Sequence, residues 1–335
     1  MVTRRQFLSR TGAGLRAAAV AMVLGATAGS VFASDWKPTQ PIEYIAPANP
    51  GGGWDTLIRT TARVLQETGL AEQNFAPINI PGGGGAVAWA QIAAKRANPH
   101  TLFAASPPII LVPLSGASRF NHQNFTPVAR LITDYSILLV RADSPYQSAN
   151  ELFEAIKARP GLSVGGGSAP GSMDHISMAG AAAAAGLDAS RLNYIAFSGG
   201  GEAMTNLLGG HVEAVITGAG EAGAQLQGTQ LRALAVSGPE RISALPDVPT
   251  YLEQGIEFTF DIWRGIMGPP DMPEAAVRYY ENLYARMLET EAWAQARDQL
   301  GWIDAYQGSA EFGAFLDGQL EQFSTVLGDL GLIRR

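Results

Sequence analysis

Glycine-rich loops that lead into helices occur in two pairs along this chain, in the same order and at nearly the same spacing. The first pair is Asn49-Pro50-Gly51-Gly52-Gly53-Trp54-Asp55, then Gly82-Gly83-Gly84-Gly85; the second is Gly165-Gly166-Gly167-Ser168-Ala169-Pro170-Gly171-Ser172-Met173-Asp174, then Ser198-Gly199-Gly200-Gly201. Asp55 precedes Gly82 by 27 positions and Asp174 precedes Gly199 by 25, so the two halves run almost in register. The pattern reads as two similar lobes. A glycine loop at a helix start exposes backbone N–H groups and the positive end of the helix dipole, which attract anions without any lysine or arginine. Four such ends facing one cleft would hold a small polyanion.

The ends of the chain and its charge narrow the setting. Thr3-Arg4-Arg5-Gln6-Phe7-Leu8, an apolar stretch from Ala17 to Ala28 and the small-residue site Val31-Phe32-Ala33 resemble a twin-arginine export signal covering residues 1–33. The apolar stretch is shorter than the roughly 20 residues a spanning helix needs, so the mature protein is expected to be soluble, outside the cytoplasm, in the periplasm. Processing removes four arginines and no acid, which takes the net charge from −7 to −11 and argues against a nucleic-acid partner. With no cysteine there is no disulfide, thiolate nucleophile or cysteine metal site. An acidic protein of this kind binds an anion locally, and backbone dipoles offer the route.

Strand and helix signals alternate. Ile42–Ala46 reads as a short buried strand, Asp55–Glu67 as an amphipathic helix, Pro77–Ile80 as a strand, Ala86–Ala97 as a helix, and Thr101–Ala105 as a strand stopped by Ser106-Pro107-Pro108. Val128–Arg141 is long and apolar and reads as a crossover between lobes. Asn150–Arg159, Leu162–Gly165, Asp174–Ala185, Asn193–Phe197, Val212–Thr217 and Leu231–Ser237 continue the alternation. Return to the first lobe is expected near Phe258–Trp263, and Glu274–Gly331 reads as helical with a break around Gly301–Ser309. The expected fold is α/β with two lobes, 34–135 plus 258–335 and 136–257, each a mainly parallel sheet flanked by helices, with the ligand cleft between them at the carboxyl ends of the strands.

Among single residues, Asp55 reads as the N-cap of its helix, and Trp54 either enters the core or walls the site. No loop has the Gly-x-Gly-x-x-Gly spacing or ends in Gly-Lys-Ser/Thr, which argues against a nucleotide. Ser168 and Ser198 lie outside Gly-x-Ser-x-Gly and no Ser-x-x-Lys accompanies them. His100, His122, His175 and His211 have no i, i+4 pairing, so neither a metal nor a cofactor is expected. His175, in the first turn behind a glycine loop, could donate to a ligand or be an ordinary helix histidine. Glu202 reads as a companion of a helix dipole. Arg264, beside Trp263 on the return strand, is the cation expected to reach the cleft, since arginine suits bidentate carboxylate capture.

From Ala46 to Asp55 the chain resembles the substrate-binding proteins of tripartite tricarboxylate transporters, the Bordetella uptake gene family. The likeness continues through Pro81–Gly85, Ser168–Ser172, Leu207–Val212, Leu245–Thr250 and Trp263-Arg264-Gly265, and covers essentially the whole mature chain. It implies a type II-like, two-lobed periplasmic binding protein that closes on a carboxylate and delivers it to a membrane permease, often with water in the contacts. Carried over, the contacts fall within Asn49 to Asp55 and Ser168 to His175, at Ser106 and Thr217, and in the second and fourth loops. The candidates are Asn49, Pro50, Gly51, Gly52, Trp54 and Asp55; Gly84 and Gly85; Ser106; Ser168, Gly171, Ser172 and His175; Ser198, Gly199 and Gly200; Thr217; and Trp263 and Arg264. Two departures matter: many relatives have an aromatic-rich or Lys/Tyr-containing segment in place of Ala196-Phe197-Ser198-Gly199, and often an Asp where this chain has Glu213. The Gly-Gly-Gly-Trp-Asp form with Trp263-Arg264 is more like the di- and tricarboxylate binders than the amino-acid binders. The expectation is therefore a monomeric, non-enzymatic receptor for a citrate-like acid. The alternatives are a monocarboxylate or aromatic-acid binder, a cleft enzyme using serine or His175, and a signalling receptor of the same fold.

Overall fold

Strand β1 (Ile42–Ala46) buries Ile42, Tyr44 and Ala46 on one face and Ile45 on the other, with Glu43 partly exposed, and it pairs in parallel with β2 (Phe75–Asn79) on one side and β3 (Thr101–Ala105) on the other. Between β1 and β2 runs α1 (Gly53–Glu67), which buries Leu57, Ile58, Val64 and Leu65 at helical spacing. These elements belong to a computed structural model that describes residues 36–226 and 230–329; the expected export signal lies outside the described residues. The link from β2 to α2 (Ala86–Ala93) runs through Gly82–Gly85, all four at positive φ, a path that side-chain-bearing residues rarely follow. After β3 the chain enters α3 (Pro108–Leu114), a short helix where the sequence reading placed only a stop. Pro108 sits at a position in the first turn where its missing N–H costs nothing, and Ile109 to Val112 are buried.

The 16-residue β4 (Thr126–Arg141) ties the sheet together. The next elements are α4 (Ala149–Ala158), β5 (Ser163–Gly166), α5 (Met173–Ala184), β6 (Asn193–Ala196), α6 (Gly200–Leu208), β7 (Ala214–Gly218), α7 (Ala219–Leu226) and β8 (Leu231–Val236). Strand β9 (Asp261–Gly268) follows, starting inside the segment Phe258–Trp263 named for the return, and then α8 (Glu274–Leu288), α9 (Glu291–Leu300), β10 (Ile303–Gly308) and α10 (Ser309–Asp329). The expected helix break at Gly301–Ser309 is thus partly a strand, β10, paired antiparallel with β4.

Among the described residues the sheet has the order β2-β1-β3-β9-β4-β7-β5-β6, with β8 and β10 also pairing with β4. It holds two parallel triplets, β2-β1-β3 and β6-β5-β7, joined through antiparallel β9 and β4. The first half of β4 pairs with β9 (Thr133 opposite Trp263) and its second half with β7 (Leu138 opposite Ile216). Side-chain alternation divides the apolar groups: Leu138, Val140, Ala214 and Ile216 enter one cluster, while Ile137, Leu139 and Val215 enter another on the opposite face. A larger cluster surrounds the first triplet and takes in Tyr280, Tyr284, Trp293 and Phe312 from the C-terminal elements.

Candidate functional site

The four glycine loops converge on one cavity of about 260 Å³. The first contributes Gly52, Gly53 and Trp54, the second Gly82 to Gly84, the third Gly167 to Pro170, and the fourth Ser198 to Gly200. Gly52, Gly53 and Trp54 precede Thr56, whose N–H is the first to bond back, to the Gly52 carbonyl. In α6 the first such donor is Ala203, bonding to Gly199. The amides ahead of these donors carry the partial positive charge of each helix start, and those of Gly53, Gly200 and Gly201 sit on glycines, with no side chain of their own to screen them.

The first and fourth loops touch. The Asn49 N–H donates to the Ser198 carbonyl at 3.3 Å, and Glu202 Oε2 accepts from the Ser198 N–H at 3.0 Å and from Asn49 Nδ2 at 3.4 Å. A Cβ built on Gly52 would lie 3.7 Å from Gly199 Cα, an ordinary contact distance. Glu202 therefore braces one loop against the other as well as sitting in the first turn of α6.

A buried charge cluster underlies the cavity. Arg264 on β9 donates through Nη2 to Asp134 Oδ2 of β4 at 3.1 Å and to Glu221 Oε1 of α7 at 3.2 Å. Glu221 Oε2 also accepts from Thr217 Oγ1, and Asp134 Oδ1 accepts the N–H groups of Tyr135 and Gly220. Burial raises the pKa of both carboxyls, and Arg264 pulls against that rise. For Arg264 itself the two carboxylates outweigh burial and favour the charged form. Glycine makes room for the cluster: a Cβ on Gly53 would fall 2.0 Å from Arg264 Nη1, and one on Gly200 2.0 Å from Glu221 Oε2. Two of the glycine loops thus present amides to the cavity and accommodate charged side chains beneath it. Three polar atoms on lining residues are buried and have no partner in the protein: Trp54 Nε1, Arg264 Nε and Asp174 Oδ1.

Residues 61–332 match the family described as the tripartite tricarboxylate transporter family receptor. The chain belongs to that family. The tripartite tricarboxylate transporter receptors are periplasmic solute-binding proteins, and among the described residues here no helix is long and apolar enough to cross a membrane. The chain is similar to a UPF0065 protein in the gbd 5′ region of Cupriavidus necator, with 27% identity over 343 residues covering 99% of each chain. Its fold is that of the periplasmic binding protein BugD, with a TM-score of 0.81 at 22% identity over 89% of this chain and 100% of that one. It is also similar to Rpa4515 of R. palustris, whose structure contains adipate, with a TM-score of 0.81 at 23% identity over 89% of this chain and 99% of the other.

In this receptor the candidates that line the cavity are Gly52, Trp54, Gly84, Ser106, Ser168, Ser198, Gly199, Gly200 and Arg264. Others brace it. Asp55 is not the N-cap: Gly52 holds that position, and Asp55, in the first turn, accepts the Gly51 N–H at 2.9 Å and Arg59 Nε at 2.7 Å. Asn49, Pro50 and Gly51 belong to the braced turn outside the lining, and Gly85 packs against Trp89. Thr217 holds Glu221. His175 does not line the cavity: its Nδ1 accepts the Gly171 N–H at 2.9 Å and its ring stacks on Tyr194, which together occupy it within the third loop. Gly171 and Ser172 form the turn under it. Trp263 points away, because adjacent strand residues face opposite sides; it packs edge-on against Phe312 and Phe315 while Arg264 reaches the cavity. Arg264 reaches it already paired with two carboxylates, which corrects the picture of an uncommitted cation.

Of the two lining acids, Asp174 lies inside the carried-over span Ser168 to His175 without being singled out, and Glu221 lies outside every candidate segment. Asp174 falls within the third loop segment, where its place after the glycines matches that of Asp55 after the first. Glu221 was not anticipated, although Gly218-Ala219-Gly220 before it is one more glycine-rich link from strand to helix.

Proposed function

We propose that this protein captures a small dicarboxylate or tricarboxylate, citrate-like in size and charge, and delivers it to the membrane permease of a tripartite transporter. The observation that carries the reading is the convergence of four glycine loops, two of them heading helices α1 and α6, on one cavity that also holds the unpartnered donors Trp54 Nε1 and Arg264 Nε. Backbone amides at helix starts suit carboxylate oxygens, and about 260 Å³ suits a small metabolite rather than a nucleotide. The adipate in the related R. palustris structure agrees with this ligand class.

Residues 34–135 with 258–335 form one lobe and 136–257 the other in this reading, hinged about β4 and β9, and the contact of Asn49 with Ser198 and Glu202 belongs to the closed form. The protein acts as a monomer and performs no covalent chemistry. The test is calorimetric titration of protein lacking residues 1–33 with succinate, adipate, citrate, acetate and benzoate. The expected result is binding of the di- and tricarboxylates well ahead of acetate and benzoate. Equal or stronger binding of a monocarboxylate would reject the proposed specificity.

A further inference from the structure

Asp174 is the second residue of α5, is 2% exposed, and lines the cavity. Its backbone N–H is satisfied by Ser168 Oγ at 2.8 Å, while its side-chain Oδ1 is buried with no partner in the protein. The charged and titratable groups around it come from every neighbouring element. Glu221 of α7 and Arg264 of β9 act on it directly, Tyr194 of β6 lies beside it, and Asp134 of β4 shares Arg264 with Glu221. Next along α5, His175 is held toward its neutral form by burial, and its Nδ1 accepts a hydrogen bond from a backbone amide. Arg264 therefore faces two carboxylates before Asp174 is counted. An ionised Asp174 would share that one cation with two other carboxylates, and a ligand carboxylate entering the same cavity would add to the excess of negative charge.

We propose that Asp174 is a specificity-determining residue that binds the ligand as a neutral acid, its hydroxyl donating a hydrogen bond to one carboxylate of the ligand. The inference rests on the carboxylate-binding reading and deepens it: this side of the cavity takes an ionised carboxylate rather than an ammonium or hydroxyl group. Burial, reinforced by Glu221, outweighs the pull of Arg264 and the hydrogen bonds from Ser168 and the Gly167 amide and pushes the Asp174 carboxyl up to about 8, which favours the protonated form at neutral pH. A ligand carboxylate against it raises that value further. Affinity should therefore be level below pH 7 and fall above pH 8 by up to ~tenfold per pH unit, with up to one proton taken up per ligand bound.

The experiment is calorimetric titration of the mature protein and of Asp174→Asn with adipate and succinate, both doubly ionised above pH 6.5. It is run from pH 6.5 to 9.5 in pairs of buffers differing in ionisation enthalpy. The expected result is proton uptake and falling affinity above pH 8 for the wild type, and a flat profile without uptake for Asp174→Asn, whose amide keeps a donor at every pH. Wild-type binding without pH dependence, proton release on binding, or a variant that keeps the wild-type slope would overturn the inference while leaving carboxylate capture intact. The wild-type proton count stands as a test even where the variant folds poorly. Absence of binding by either acid at every pH would overturn both readings.

Discussion

Arg264 Nη2 lies 3.1 Å from Asp134 Oδ2, and the two side chains are 2% and 0% exposed. The pair joins the two long antiparallel strands at the middle of the sheet, and Glu221 extends it to α7. Removing the cation leaves two buried carboxyls without their partner, which costs roughly 3–5 kcal/mol where such pairs have been broken. Arg264→Gln is therefore expected to lower the urea midpoint markedly and to weaken every carboxylate ligand together. A variant of unchanged stability that loses only dicarboxylates would return Arg264 to the role of a selective cation.

Gly52 and Gly53 are adjacent, yet their substitutions should separate binding from folding. Gly52 has φ −85 and ψ 169, open to any residue, and a Cβ there meets nothing closer than 3.7 Å. Gly52→Val is expected to fold with a melting temperature near that of the wild type and to lose carboxylate binding, because its branches stand between the ligand and the helix start. Gly53→Ala instead drives a methyl into the Arg264 guanidinium and should lower the melting temperature substantially. Thermal unfolding and calorimetry on both variants check the contrast, and equal stability of the two would contradict it.

Glu202 holds Asn49 and Ser198 together from an exposed position, so its effect should fall on closure rather than on the fold. Glu202→Ala is expected to leave thermal stability nearly unchanged and to weaken adipate binding several-fold, through faster dissociation. Stopped-flow release rates indistinguishable from wild type would assign Glu202 to the helix dipole alone.

Asp174 also carries a stability signature. Its folded pKa, about 8, lies above the ordinary carboxyl value of 3.8, so the folded state holds a proton that the unfolded chain releases. Its contribution to stability is then greatest below pH 4 and is lost progressively as pH rises toward 8. Asp174→Asn, uncharged throughout, should gain in melting temperature relative to wild type as pH goes from 5 to 8. A difference that stays constant over that range would mean Asp174 is ionised in the folded protein at all these pH values.

What could be read from the chain alone was local. The glycine loops, the helix starts behind them and the alternation of strands and helices depend on φ/ψ freedom and on side-chain period, which a few neighbouring residues decide. The family resemblance, carried by the order of those loops, was legible for the same reason. Elements that break the alternation were not: α3 starts on Pro108 inside what reads as a stop, and β10 is a strand because β4 offers it an antiparallel partner. The charge of the site lay further out of reach. Arg264 finds Asp134 and Glu221 at separations of 130 and 43 residues, so its pairing depends on how β4, β9 and α7 meet. Asp55 and Asp174 follow similar glycine loops, yet one side chain turns back to Gly51 and Arg59 and the other lines the cavity. Local sequence placed both acids at helix starts; tertiary packing decided which became a brace and which kept an unpartnered oxygen, because burial and the nearness of Glu221 arise only once the sheet has closed around them.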